Sequence, residues 1–213
     1  MRCAWKSEQN ARYCEAMSQE SVEVTQATPD RLPALASVLG RAFAVEPMMR
    51  WPLCECDDVE ERLIRAFEIF MEDPIRLGMV WQAGAGTGAL IWIPADQMDA
   101  LDDGNLAMRS VYEREDGARR FDRFWGWVDS KHPEEPLALL DSVAVEPAAQ
   151  GRGIGSALIR CGLDRARAAG QGAWVETGNP RNVPLYERHG FRAVEDADAP
   201  GGGPHIWFMR WDP

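Results

Sequence analysis

The apolar positions change period several times along the chain, and each change marks an element. "SVEVTQATPDRLPALASVLGRAFA" opens with a short alternation at Val22–Thr25 that predicts a strand. It then passes through a turn into apolar residues at Leu32, Leu35, Ala36, Leu39 and Phe43. Steps of three and four place these side chains on one helical face. Thr28 stands where an N-cap is wanted, and Pro29 takes the first helical position, where a missing N–H costs little. "VEERLIRAFEIFME" repeats the pattern, with Leu63, Phe67 and Phe70 on one side.

The period then drops to that of strands. Met79–Ala83 and Ala89–Ile93 flank the glycine-rich turn "GAGTG", which predicts a hairpin. Residues 94–136 are charged and aromatic, read as helical, and are expected to line a pocket together with "FAVEPMMRWP". Trp125 and Trp127, within that region, are expected in the core. "LALLDSVAVEP" is a strand closed by Pro147. "GIGSALIRCGLDRARAAG" is a helix with Ile154, Ala157, Leu158 and Cys161 on one face, stopped by Gly170. "AWVET" is a strand, and "VPLYERH" is a short helix that follows Asn182 and ends at Gly190. "FRAVED" and "HIWFMRW" are two last strands around "APGGGP". Residues 1–20 carry no such period and are expected to form a flexible extension to a single domain spanning 21–213.

Composition narrows the classes. At 213 residues with 46% hydrophobic and 27% charged positions, the chain is ordinary for a globular domain. No apolar run reaches the roughly 18–20 residues that cross a bilayer, and the N-terminus lacks the apolar centre of a secretory signal. A cytoplasmic protein with no membrane partner is expected. The net charge of −11 comes with no Lys/Arg-rich run, which argues against nucleic acid and is compatible with a cationic substrate. Cys3, Cys14, Cys54, Cys56 and Cys161 read as reduced thiols, and their spacing suits no metal site.

The densest signal is "VAVEPAAQGRGIGSALI". A strand, a glycine-rich turn and a helix present backbone N–H groups at a positive helix end, which suits a phosphate or pyrophosphate. Glycines admit positive φ and let the backbone approach a ligand closely. Ser156 follows Gly155 with no Lys, which excludes a P-loop. Gly151, Gly153 and Ser156 approximate a dinucleotide fingerprint, with Glu176 on the next strand. Against it, "EPAAQ" separates strand from turn, and only 37 residues follow Glu176. A simple packing turn is the remaining alternative.

"QGRGIG", Gln150 to Gly155, resembles the pyrophosphate loop of the GCN5-related N-acetyltransferase (GNAT) superfamily. "LLDSVAVEP" looks like that superfamily's central bulged strand, and "NPRNVPLYERHGF" looks like its closing Asn…Tyr…Gly-Phe segment. "HPEEP", "VETGNPRNVPLYERHGF" and "GGGPHIWFMRW" are similar to the puromycin N-acetyltransferase group within it. The resemblance implies an α/β (α+β) fold, with a mixed, mostly antiparallel sheet whose central strands splay around acetyl-CoA. It implies that the N–H groups of Gly151, Arg152, Gly153, Ile154, Gly155 and Ser156, after Gln150, hold the pyrophosphate. Val143 and Val145 would pair with the pantetheine arm, and a strand N–H at Val143 or Ala144 would stabilise the oxyanion. Asn182 either bonds the pantetheine or only caps its helix. Tyr186 would protonate the departing thiolate, with Asp141, Glu176 and Glu46 as candidate bases. His189 is read as a cation suited to a helix end, and His132 has no role.

The implied function is direct acetyl transfer from acetyl-CoA to a small-molecule primary amine, without metal, by a monomer or homodimer. A regulatory acyl-CoA-binding domain, or acetylation of a peptide amine, stands as the alternative.

Overall fold

The computed structural model describes residues 22–53, 56–101, 104–113 and 118–213, with the backbone alone for 104–107. The expected extension over residues 1–20 lies outside them, as does Cys54.

Seven strands form one sheet in the order β1-β2-β3-β4-β5-β7-β6. They are β1 (Val24–Gln26), β2 (Val80–Ala83), β3 (Gly88–Ile93), β4 (Ala138–Val145), β5 (Ala173–Thr177), β6 (Arg192–Asp198) and β7 (His205–Trp211). Every pairing is antiparallel except β4 with β5. The mixed, mostly antiparallel sheet is the one expected, and the hairpin β2–β3 falls within a residue of its predicted limits.

Two details of β4 shape the molecule. Its register with β3 steps from Ile91↔Ser142 to Trp92↔Leu140, so Asp141 is an extra residue on the bulged strand. Its parallel ladder with β5 pairs only Ala138 with Ala173 and Leu139 with Trp174. Beyond Leu139 the two strands diverge, and the β5-facing edge of β4 has no strand beside it.

Helices cover both faces. On one side lie α1 (Leu32–Phe43), α2 (Pro47–Leu53), α3 (Val59–Phe70), α4 (Glu72–Arg76), α5 (Gly104–Tyr112) and α6 (Arg119–Asp129). Leu35, Leu39, Leu63 and Phe67 of α1 and α3 join Ile91, Ile93 and Phe208 of the sheet in one core cluster. On the other side α7 (Ile154–Ala169) buries Leu158, Ile159 and Leu163 against Leu90, Trp92, Leu140 and Met209. Apolar cover on both faces explains why "GALIWI" of β3 is apolar without alternation: all six residues are buried. Edge strand β6 is exposed at nearly every position and carries Glu195, Asp196 and Asp198, which discourages pairing with another chain.

Several local expectations need correction. Thr28 makes no side-chain cap; Pro29–Arg31 is a 3₁₀ turn that leads into α1. The first strand is shifted to Val24–Gln26, where its ladder with β2 sets the limits. Cys161 is only half-buried, because the inward face of α7 is centred on Leu158, Ile159, Gly162 and Leu163. Trp125 and Trp127 pack against the core but are not enclosed by it.

Candidate active site

The β4–β5 divergence opens onto a cavity of about 530 Å³. Its walls include Val143, Ala144 and Val145 of β4, Glu176 and Thr177 of β5, and Tyr186 of α8 (Val183–Arg188). Glu46, from the turn between α1 and α2, and Asp129 and His132, from the end of α6 and just beyond, complete the polar part. Residues from five separate stretches of chain thus converge where two strands part.

The glycine turn stands at one end. Gly151 and Gly153 have φ of +77° and +81°, conformations that side chains resist. A Cβ at either would meet nothing within 4 Å, so the space beside them is open. Gly153 is the N-cap of α7, whose first-turn N–H groups have no acceptor within the helix. Sixteen residues of helix then aim a positive dipole end at that space. The exposed Gln150 donates its amide to the Val145 carbonyl at 3.1 Å and so fastens the turn to the end of β4. Arg41 of α1 grips Glu146 through both its Nε and Nη2, which ties the same strand end to the opposite layer.

Tyr186 is 5% exposed and sits edge-on to Phe191 at 5.8 Å. Its carbonyl accepts from His189 and Phe191 N–H groups, fixing α8 and the chain that leaves it. Burial raises its phenol above the ordinary value, and the carboxylates of Glu46 and Glu176 add to the shift. A phenol shifted in this direction stays neutral near pH 7.

Asn182 does not cap α8. Its backbone is helical, and its amide donates to Thr177 Oγ1 at 3.2 Å across the turn from β5. It does line the cavity, beside Tyr186. His189 is also corrected: burial, Arg160 and Arg188 lower its pKa, so it is no cation for the helix end.

The candidate bases are brought together, and a residue without a predicted role joins them. Asp141, the bulge residue, accepts from Ser142 Oγ at 2.9 Å. Burial pushes its carboxyl up to about 7; the Ser142 bond opposes the shift, Glu176 adds to it, and His132 opposes it. His132 Nε2 and Glu176 Oε2 stand 3.5 Å apart, too far for a good hydrogen bond and close enough for charge pairing. Both atoms are buried with no hydrogen-bond partner among the described residues. Burial alone would lower the His132 pKa, but Glu176, Asp129 and Asp141 outweigh it, and the imidazole is raised above its usual value. Asp129 is raised as well, by burial and then by Glu176. Across from this group, Glu46 is 7% exposed and accepts the Met48 N–H at 2.7 Å. Burial lifts it to about 7 against the hydrogen bonds from Met48, Gly178 and Met49 N–H groups. Nothing in sequence spacing links residues 129 and 132 to 141 and 176; the β4–β5 crossover sets 141 beside 176, and the chain leaving α6 brings 129 and 132 to them.

A family model for the acetyltransferase (GNAT) family matches residues 109–191. The crystal structure of histone acetyltransferase HPA2 and related acetyltransferase from Corynebacterium glutamicum superposes with a TM-score of 0.67 at 27% identity, covering 91% of this chain and 97% of that one. Over residues 109–191 and in its overall fold, the chain is thus similar to GNAT acetyltransferases. The fold is that of its GNAT structural neighbours. The mycothiol acetyltransferase of Streptosporangium roseum is 38% identical over 66 residues, 30% of this chain and 20% of that protein. The match therefore spans one fifth of that relative's length. The NatC complex bound to Gag peptide and CoA shares the fold alone, at a TM-score of 0.53 and 12% identity over 91% of this chain and 99% of that one. Among the described residues, no helix is long and apolar enough to cross a membrane.

Proposed function

We propose that the protein transfers an acetyl group from acetyl-CoA directly to the primary amine of a small molecule. The observation that carries this reading is the single cavity joining the free edge of β4, the buried Tyr186 phenol and the His132–Glu176–Asp141 group. The open space at Gly151 and Gly153 fits a pyrophosphate held by the N–H groups of residues 151–156. The free edge of β4 at Val143 and Val145 fits the amide-bearing pantetheine arm as an added strand.

In this reading each proton has a place to go. Glu176 accepts the proton of the incoming ammonium, with His132 beside it to pass the charge on. Asp141 sits in the same group and is half-protonated near neutral pH, which limits its share of that role. The free amine attacks the thioester carbonyl, and a C–N bond forms. A strand N–H at Val143 or Ala144 stabilises the charge on the carbonyl oxygen. As the C–S bond breaks, its electron pair leaves on sulfur and takes the Tyr186 proton. A neutral, buried donor and a buried acceptor lining one cavity are what acid–base catalysis of acyl transfer requires.

Thiol release from acetyl-CoA across a panel of primary amines tests the proposal. The panel includes an aminonucleoside, because of the likeness of "HPEEP" and "VETGNPRNVPLYERHGF" to the puromycin group. Amine-dependent release supports the proposal. Binding of acetyl-CoA with no release from any small amine favours the regulatory or peptide-directed alternative.

A further inference from the structure

The cavity has two unlike parts, and their contrast bears on the acceptor. Near Tyr186 the wall is polar, with four carboxylates, Glu46, Asp129, Asp141 and Glu176, around a single imidazole. Away from the strands the wall is built from α3, the segment after β3, α5 and α6. It consists there of Phe67, Phe70, Met98, Leu101, Met108 and Trp125. None of these six carries a charge, so a second ammonium group placed among them finds no partner on their side chains; Asp129, one turn from Trp125 on α6, marks where this stretch meets the polar part. Phe and Met side chains instead reward an apolar occupant, and the thioethers adapt to its shape. The Trp125 indole N–H is buried and has no partner among the described residues, which leaves one donor for a polar substituent.

Resting on the acetyltransferase reading above, we propose that the acceptor is an amphipathic monoamine. Its ammonium end is drawn to the carboxylates beside Tyr186. Its alkyl or aryl tail fills the Phe67–Phe70–Met98–Met108–Trp125 sleeve. Polyamines and small hydrophilic amines are poor acceptors.

The test is kcat/KM with acetyl-CoA for linear primary amines from ethylamine to octylamine, together with 2-phenylethylamine and 1,8-diaminooctane. Specificity rises by about fourfold for each methylene buried until the sleeve is full. The diamine falls roughly tenfold or more below octylamine, because its second charge must be desolvated. Met98 is 37% exposed, so Met98→Glu can place a carboxylate on the sleeve without disturbing the core. That variant narrows or reverses the gap between octylamine and 1,8-diaminooctane and leaves acetyl-CoA affinity unchanged. Three results each overturn the proposal: specificity flat with chain length, a diamine preferred by the unmodified protein, or octanoyl-CoA preferred to acetyl-CoA as donor. In the first two, amine-dependent thiol release from acetyl-CoA keeps the acetyltransferase reading; the third changes the donor of that reading as well. Acetyl-CoA binding without release from any amine overturns both.

Discussion

Tyr186 and Glu46 make the sharpest cases at the scale of single residues. Tyr186→Phe keeps the ring against Phe191 and removes the proton donor. If the phenol protonates the thiolate, kcat falls by roughly 10²-fold or more while acetyl-CoA affinity changes little. A purely structural phenol predicts near-normal turnover and a stability loss of about 1 kcal/mol. Measuring kcat and unfolding free energy on one preparation separates the two. Glu46 is a buried acid whose pKa in the folded protein is about 7, above its ordinary 4.5. Below pH 4.5 both folded and unfolded states hold the proton, and the shift costs nothing. Between these values the unfolded chain has lost a proton that the fold retains, so stability falls as pH rises. Above about 7 the full cost of burying the carboxylate is present. Glu46→Gln is therefore expected to match the parent near pH 4 and to exceed it at pH 8 by about 1–3 kcal/mol. Urea melts at the two pH values check this, and equal stability at pH 8 would show that the Met48, Met49 and Gly178 N–H groups fully offset desolvation.

Elements are positioned here by how closely their backbones approach. Gly162 faces the Trp92 ring: a Cβ there would lie 2.2 Å from Cε3 and 2.6 Å from Cζ3. Trp92 is itself 2% exposed on a strand buried on both faces, so the ring has no room to yield. The glycine sets the distance between α7 and β3, and thereby the height of the α7 N-terminus above the sheet. Gly162→Ala gains helix propensity but overpacks the contact, and a net loss of about 1–3 kcal/mol is expected from thermal or urea unfolding. The same helix supplies the contrasting case. At Gly153 a side chain meets open space, so the objection to substitution is the φ of +81° and the volume a ligand would take.

The whole molecule behaves as two apolar layers clamped on a sheet that is incompletely zipped. Under the proposed function, acetyl-CoA lies in the β4–β5 gap and against the α7 end, and would stabilise the fold as a unit. At 100 times its dissociation constant, acetyl-CoA is expected to add about 2.7 kcal/mol, read as a rise in Tm, with no rise from NAD. Gly153→Val is expected to abolish that rise, because a β-branched side chain resists positive φ and crowds the phosphate. Stabilisation by NAD alone would overturn the assignment of the turn. The charge of −11 complements the acidic cavity by favouring approach of cations, an effect that salt weakens.

The sequence by itself determined what is local. Period-3.6 stripes marked α1, α3 and α7, and the alternations and turn residues marked the β2–β3 hairpin and the last two strands. The Gln150–Gly155 turn was legible as a strand–turn–helix junction because that geometry needs only glycines and a following helix within a few residues. Tyr186 is read from a separate segment, "NPRNVPLYERHGF", and the fold places it on α8 lining the cavity. What the tertiary structure decided is long-range. The β4–β5 crossover sets Asp141 beside Glu176, and the chain leaving α6 carries Asp129 and His132 to them. No periodicity encodes that meeting, because each residue separately suits a solvated turn or a strand edge. The caps read from Thr28 and Asn182 failed for a related reason: the Thr28 stretch turns through a 3₁₀ segment, and Thr177 offers the Asn182 amide a partner from another element. Burial of one carboxylate, and so its pKa, depends on every neighbour at once. Only the folded chain specifies those neighbours.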